Sequence, residues 1–288
     1  MSTIITGHTG FACLLGSPVE HSISPAMHNA AFEKLEIDKV YLAFDITKDK
    51  LPATVETLFN LNVTGFNLTM PLKNTIVPLC DSLSPAARIS GSVNTVINKN
   101  GKIVGDTTDG IGFMNACQDA GHDPLSGKMV LLGAGGAAAS ILVQAALDGV
   151  PEISIFNRPG NSYDSISAIM KQLENETKCK MKLFTYEDQS ILKSELSEAN
   201  LLVNASSVGM APNDDASLID DISLLHSGLF VYDIIYNPAT TKLMKQAMNA
   251  GCRTANGHLM LLYQGAASFK LWTGQDMPVD YIKELCFN

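Results

Sequence analysis

Gly133-Ala134-Gly135-Gly136-Ala137-Ala138 follows the apolar run Val130-Leu131-Leu132 and leads into a stretch rich in alanine and leucine. Read as strand, turn and helix, this is G-x-G-x-x-[GA] in the context that gives the pattern meaning. The first glycine permits a tight turn, the second lets backbone approach a pyrophosphate, and Ala138 is small enough for close helix–strand packing. Free N–H groups and the positive dipole end at the helix start suit phosphate. A tight structural turn would explain an isolated GxG. The strand before and the helix after favour a dinucleotide, with Gly133, Ala134, Gly135, Gly136 and Ala137 as contacts.

The next strand ends in Phe156-Asn157-Arg158-Pro159-Gly160. It lies about 20 residues on, where NAD-selective folds place an acid. No Asp or Glu stands at that tip, and Arg158 suits a 2′-phosphate or the adenine face. The pattern leans to NADP and leaves NAD open, because there is one cation and Asp164 lies just downstream. An exposed loop arginine is the plainer alternative.

Further polar segments are unusual for simple turns: Ser22-Ile23-Ser24-Pro25, Asn67-Leu68-Thr69-Met70-Pro71-Leu72-Lys73, Gly91-Ser92-Val93-Asn94-Thr95 and Gly105-Asp106-Thr107-Thr108-Asp109-Gly110, then Tyr236-Asn237-Pro238 and Gly257-His258-Leu259-Met260-Leu261-Leu262-Tyr263-Gln264. In this order, over essentially the whole chain, they resemble the shikimate and quinate/shikimate dehydrogenases. The resemblance implies that Lys73 is the catalytic lysine and Asp109 its partner at the reacting hydroxyl. It implies that Ser22 and Ser24 bind a substrate carboxylate, with Tyr236 nearby, and that Thr69, Asn94, Asp109 and Gln264 hold ring hydroxyls; Asn67 joins them as a substrate-binding candidate. For the cofactor it implies the glycine loop, Asn157 and Arg158, with Gly257 near the nicotinamide and Ser207 in a loop lining that pocket. One departure stands out. Thr107 occupies the position where the family usually has Asn in Gly-x-Asn-Thr-Asp-Gly.

The chemistry is coherent in its own terms. Oxidising an alcohol removes a hydride from carbon and a proton from oxygen. A nicotinamide takes the first, and the protein must manage the second. A lysine amine can hold or release a proton, and a neighbouring carboxylate orients it. Taken singly, each residue has a plainer reading. Lys73 could be a surface lysine, Asp109 a turn aspartate before Gly110, and Ser24 a helix N-cap. Asn94 could shape a loop, Tyr236 could pack, and Gln264 could bond backbone. His21 and His258 show no metal spacing and read as solvent-facing or structural; no metal is expected.

The elements that must position these groups alternate between strand and helix, which favours a parallel sheet covered by helices. Phe11 to Leu15, Val40 to Asp45 and Val63 to Asn67 read as strands, with helices from Pro25 to Leu35 and Leu51 to Leu61; Ser92 to Val104 reads as a hairpin about Asn100-Gly101. Met129 to Leu132, Ile153 to Phe156, Leu201 to Val203 and Phe230 to Ile235 read as parallel strands, and His258 to Trp272 as a long apolar helix. The expected fold is α/β. An N-terminal α/β substrate domain, 1–110, is completed by helices in 257–288. A Rossmann-like doubly wound NAD(P)-binding domain, 111–256, follows it, with a cleft and hinge between the two.

Composition excludes several classes. With 288 residues, 46% hydrophobic and 17% charged, the chain suits a globular protein with a sizeable core. A net charge of -9 without a basic stripe excludes a nucleic-acid binder. Six scattered cysteines without CxxC pairs read as buried thiols. No signal-peptide pattern or membrane-length apolar run is seen, so the cytoplasm is the expected compartment. The expected partner is a small cyclic hydroxy acid, with no nucleic acid or membrane, and the chain as monomer or homodimer. The leading expectation is interconversion of shikimate and 3-dehydroshikimate with NAD(P). The alternatives are quinate as sole or second substrate, or a catalytically silent NAD(P)-binding sensor.

Overall fold

The computed structural model describes residues 4–187 and 189–287. Contacts within the chain divide it into two compact units, Met1–Gly112 with Leu262–Asn288, and Phe113–Leu261.

The first unit begins with β1 (Gly10–Gly16), α1 (Ser24–Lys34), β2 (Lys39–Asp45), α2 (Leu51–Asn60) and β3 (Gly65–Leu68). Ala12, Cys13 and Leu15 in β1 are fully buried; an uninterrupted apolar run is what a strand covered on both faces requires. Pro25 in the first turn of α1 provides a fixed helical φ where its missing N–H costs nothing. The short β4 (Ser82–Leu83) and α3 (Pro85–Ser90) follow, then β5 (Thr95–Lys99) and β6 (Lys102–Asp106). Asn100 and Gly101 have φ of 57° and 83°, the left-handed pair that a two-residue hairpin turn needs.

The sheet order is β2-β1-β3-β5-β6-β4. β1 is parallel to β2 and β3, whereas β3–β5 and β5–β6 are antiparallel. This sheet is therefore mixed: the hairpin expected about Asn100-Gly101 reverses the chain without a crossover helix, so β5 and β6 run antiparallel.

Helix α4 (Asp109–Asp119) leads into the second unit: β7 (Lys128–Leu132), α5 (Gly136–Asp148), β8 (Glu152–Phe156), α6 (Asn161–Glu176), β9 (Lys180–Phe184), α7 (Gln189–Ser197), β10 (Leu201–Asn204), β11 (Phe230–Asp233), α8 (Lys242–Asn249) and β12 (Arg253–Ala255). All six strands are parallel, in the order β12-β11-β10-β7-β8-β9. The chain steps outward from β7 to β9, then returns and steps outward on the other side from β10 to β12. The reversal lies between β7 and β10, and ligands of such sheets bind beyond the carboxyl ends of the strands at that point. Val130, Leu132, Phe156, Leu202 and Val231 form the centre of this core.

Helix α9 (His258–Thr273) carries the chain back to the first unit and α10 (Val279–Cys286) ends it. Trp272 of α9 donates from Nε1 to the carbonyl of Val96 at 3.0 Å. A Cβ at Gly65 would lie 2.3 Å from that same nitrogen, so only glycine admits the indole here. Among the described residues no helix is long and apolar enough to cross a membrane.

Candidate active site

In the first unit the site grows from the carboxyl ends of β1 and β3. Gly16 ends β1, and a Cβ there would lie 2.2 Å from the Thr69 methyl carbon. Glycine thus lets the segment following β3 press against the end of β1, where Thr69 N–H bonds the Leu15 carbonyl at 2.9 Å. Four residues on, the Lys73 carbonyl accepts from Val93 N–H at 2.9 Å, which ties the lysine to the segment carrying Asn94.

Lys73 Nζ lies 2.6 Å from Asp109 Oδ2, and the two side chains retain 27% and 11% exposure. Asp109 is the first residue of α4, where the helix dipole favours a carboxylate. Buried Asn94 connects the pair to its surroundings. Its Nδ2 reaches Asp109 Oδ1 at 2.8 Å, Thr108 Oγ1 at 3.0 Å and Gln264 Oε1 at 3.4 Å, while its Oδ1 accepts from Thr108 N–H at 2.8 Å. Lys73, Asp109, Asn94 and Gln264, separated by up to 191 positions in the numbering (264 − 73), therefore share one hydrogen-bonded cluster.

Asn67 lies behind this cluster. Its Oδ1 accepts from Tyr41 Oη at 2.8 Å, and its Nδ2 reaches Asn94 O at 3.1 Å and Thr95 Oγ1 and Ser268 Oγ at 3.0 Å each. These bonds make it a brace of the site floor. Ser268 Oγ also lies 2.7 Å from Thr95 Oγ1 and 3.1 Å from Thr108 Oγ1, so one fully buried hydroxyl joins β3, β5, α9 and the loop before α4. Sequence reasoning passes over Thr95, Thr108 and Ser268. A signal exists for the last, since Ser268 is four residues after Gln264 and shares its helix face.

Ser22 Oγ accepts from Ser24 N–H at 3.3 Å at the start of α1. The N-cap expected at Ser24 is displaced by one residue: Ile23 occupies that position in αR conformation, with no side-chain cap bond, and Ser24 is already helical. The departure at Thr107 leaves the loop fixed. Thr107 N–H bonds Asp106 Oδ1 at 2.7 Å, and Ser84 Oγ donates to the same oxygen.

In the second unit Gly133 has φ +109°, and a Cβ there would lie 2.8 Å from the Ala205 carbonyl. Both the turn and the close approach demand glycine. Gly135 caps α5 without any side-chain cap bond, and a Cβ at Gly135 or Gly136 would meet nothing within 4 Å. An uncapped helix start with open space before it fits a pyrophosphate. Ala137 is half-buried beside this opening and Ala138 is fully buried, while Ala134 is buried within the loop. Asn157 follows β8, bonding Phe184 O through its N–H at 3.1 Å and Arg158 O through Nδ2 at 3.0 Å; Arg158 is exposed. Ser207 is exposed in the loop after β10, and its carbonyl accepts from Met210 N–H at 3.2 Å. Tyr236 is exposed, with its ring centroid 6.0 Å from that of His258. Gly257 is held to glycine by packing, since a Cβ would lie 1.9 Å from the Ile234 carbonyl.

A doubly wound sheet with an open glycine loop, in a chain that also gathers a lysine–carboxylate pair among side-chain amides, defines a nicotinamide-dependent oxidoreductase acting on an alcohol. Comparison with known proteins narrows the class. Residues 14–96 match the family described as "Shikimate dehydrogenase substrate binding domain", and residues 257–287 match "Shikimate 5'-dehydrogenase C-terminal domain". A curated "Shikimate dehydrogenase (NADP(+))" from Listeria monocytogenes is 46% identical over 98% of this chain and 97% of its own. The crystal structure of shikimate 5-dehydrogenase from Listeria monocytogenes, in complex with shikimate and NAD, is 45% identical with a TM-score of 0.96 and covers 100% of this chain and 99% of its own. That of the Thermus thermophilus enzyme with NADP(H) and shikimate is 32% identical with a TM-score of 0.83, covering 96% and 98%. The chain belongs to the shikimate dehydrogenase family.

Proposed function

We propose that this protein interconverts shikimate and 3-dehydroshikimate with NADP or NAD, within aromatic amino acid precursor metabolism. The observation that carries the reading is the 2.6 Å contact of Lys73 Nζ with Asp109, inside the network of Asn94 and Gln264. The first unit, 1–112 with 262–288, is the substrate domain in this reading, and 113–261 holds the cofactor. Ser22 and Ser24 take the substrate carboxylate. Thr69, Asn94 and Gln264 orient the ring hydroxyls over the floor braced by Asn67.

The bound nicotinamide supplies the hydride acceptor. As the C–H bond of the alcohol breaks, its O–H proton passes to the Lys73–Asp109 pair. In the reverse direction the Lys73 ammonium donates to the ketone oxygen and stabilises negative charge developing there. Gly133 to Ala137 offer backbone N–H groups to the pyrophosphate, Asn157 and Arg158 hold the adenosine end, and Ser207 and Gly257 line the nicotinamide end. In this reading the protein works in the cytoplasm.

The test is a parallel assay of shikimate and quinate, each with NADP and NAD. Reduction of NADP by shikimate is the expected result. Turnover of quinate alone would move the substrate assignment, and no reduction with either acid despite tight NADP binding would make the chain a sensor. Quinate and shikimate differ in few contacts, worth about 1–3 kcal/mol, so some quinate turnover is compatible with the reading.

A further inference from the structure

Asp233, the last residue of β11, is fully buried (0% exposed). Its Oδ1 accepts from Asn204 Nδ2 and Ile235 N–H, both at 3.1 Å, and its Oδ2 from Thr241 Oγ1 at 2.7 Å. Burial pushes this carboxyl above its ordinary range, and the three donors pull against that. A buried carboxylate held in this way has a defined orientation, because moving it would strand several polar groups.

Asn204 ends β10 and stands in register with Asp233 across the two strands. Its Oδ1 accepts from Ser206 N–H at 3.1 Å and Ser206 Oγ at 2.7 Å, and its Nδ2 reaches the Val208 carbonyl at 3.2 Å. Ser206 Oγ in turn accepts from Val208 N–H at 3.1 Å. The two side chains therefore fix, from behind, the turn that presents Ser207. On the other side, Ile235 and Thr241 bracket the loop carrying Tyr236, and the Ile235 carbonyl accepts from Gly257 N–H at 3.1 Å. Ser207, Tyr236 and Gly257 thus all depend on one buried pair.

The position of the pair identifies the half of the ligand it serves. A dinucleotide lies across the reversal point of such a sheet, with its pyrophosphate at the glycine loop. The β7–β8 side carries Arg158 and takes the adenosine; the β10–β11 side remains for the nicotinamide. We propose that Asp233, together with Asn204, is a positioning residue for the nicotinamide half of the cofactor, acting through the Ser207 turn, the Tyr236 loop and Gly257. This rests on the dehydrogenase reading above.

The test compares NADP with 2′-phospho-ADP-ribose, which lacks the nicotinamide. Both are titrated by calorimetry into the wild type and Asp233→Asn, and kcat and KM are measured in parallel. The carboxamide keeps the shape but turns a donor toward one set of its partners. NADP affinity is expected to fall about tenfold and kcat about ten- to hundredfold, as a misplaced reacting group produces. Affinity for 2′-phospho-ADP-ribose is expected to stay within about twofold. Unchanged NADP affinity and kcat overturn the proposal, and so does an equal loss for both ligands, which signals general loosening of the unit. Should the Asn variant not fold, Ser206→Ala, at a half-buried position, is expected to show the same split at about threefold. A wild type that binds NADP without oxidising shikimate would fail the functional reading alone, since the affinity split is measured without turnover.

Discussion

His28 sits on α1 with its ring stacked on Tyr41 at 4.4 Å between centroids, and with Trp272, Phe269 and Phe32 at 5.3, 6.1 and 6.4 Å. Among the described residues neither ring nitrogen has a hydrogen-bond partner. Burial lowers its pKa from 6.5 to about 3. The sign follows directly. The unfolded chain takes up a proton at His28 near 6.5, while the folded chain resists until about 3. Between these values the unfolded state binds more protons, so stability is full above the upper value and is lost as pH falls. The slope is about 1.4 kcal/mol per pH unit, or about 2 kcal/mol from about pH 7.5 to about pH 5.

His28→Phe removes this proton uptake and completes the aromatic cluster. At neutral pH two effects oppose each other. Relief of unsatisfied nitrogens gains about 1–3 kcal/mol, and fitting a larger ring costs about 1–3 kcal/mol. The neutral value therefore decides nothing, whereas the slope does, because packing does not titrate. Urea unfolding of both proteins across that pH window should give curves that diverge by about 2 kcal/mol at the acid end, the variant being the flatter. Parallel curves would refute the reasoning, by showing that the folded protein protonates His28 as readily as the unfolded chain.

Three further outcomes are expected. Lys73→Ala should lower kcat by about 10²–10⁴-fold with thermal unfolding unchanged, and near-normal turnover would remove Lys73 from proton transfer. Ser268→Ala removes the hydroxyl shared by Asn67, Thr95 and Thr108; it should destabilise the protein by about 1–3 kcal/mol in urea, and a neutral result would mean that the remaining groups re-pair. Gly257→Ala sets a methyl 1.9 Å from the Ile234 carbonyl, so backbone must move. NADP affinity should fall at least about tenfold, and an unchanged affinity would place Gly257 outside the cofactor site.

The parts of the fold legible in the sequence are those whose cause is local. The 133–138 loop sits between an apolar strand and an alanine-rich helix, and Asn100-Gly101 sits between β-rich runs; in both cases neighbouring residues state the conformation. The edge strands β9 and β12 are harder. Lys180–Phe184 alternates lysine with apolar residues and Arg253–Ala255 is three residues long, so neither carries the buried apolar run of the inner strands. Helix α3 has a legible start and stop, with Ser84 accepting from Ala87 N–H, Pro85 in the first turn and Gly91 at φ 62°, but at six residues it is too short for periodicity to reveal.

The site divides along the same line. Lys73, Asp109, Asn94 and Gln264 stand in recognisable segments, yet spacing alone does not bring positions 73, 94, 109 and 264 into one cluster; the sheet does that. The supporting residues are hidden more deeply. Ser268 looks like a small residue in an apolar helix, and Asp233 like the polar end of a buried strand, because their partners come from distant segments. A buried polar group is tolerated only with its partners in place. In an apolar element a lone Ser, Asn or Asp is therefore itself the signal that something distant must meet it, even though the sequence does not say what. Asn67, Asn204 and Asp233 all occur at or near the carboxyl ends of apolar strands, where a parallel sheet delivers its ligands. That shared placement links the polar interruptions to the site before any contact is known.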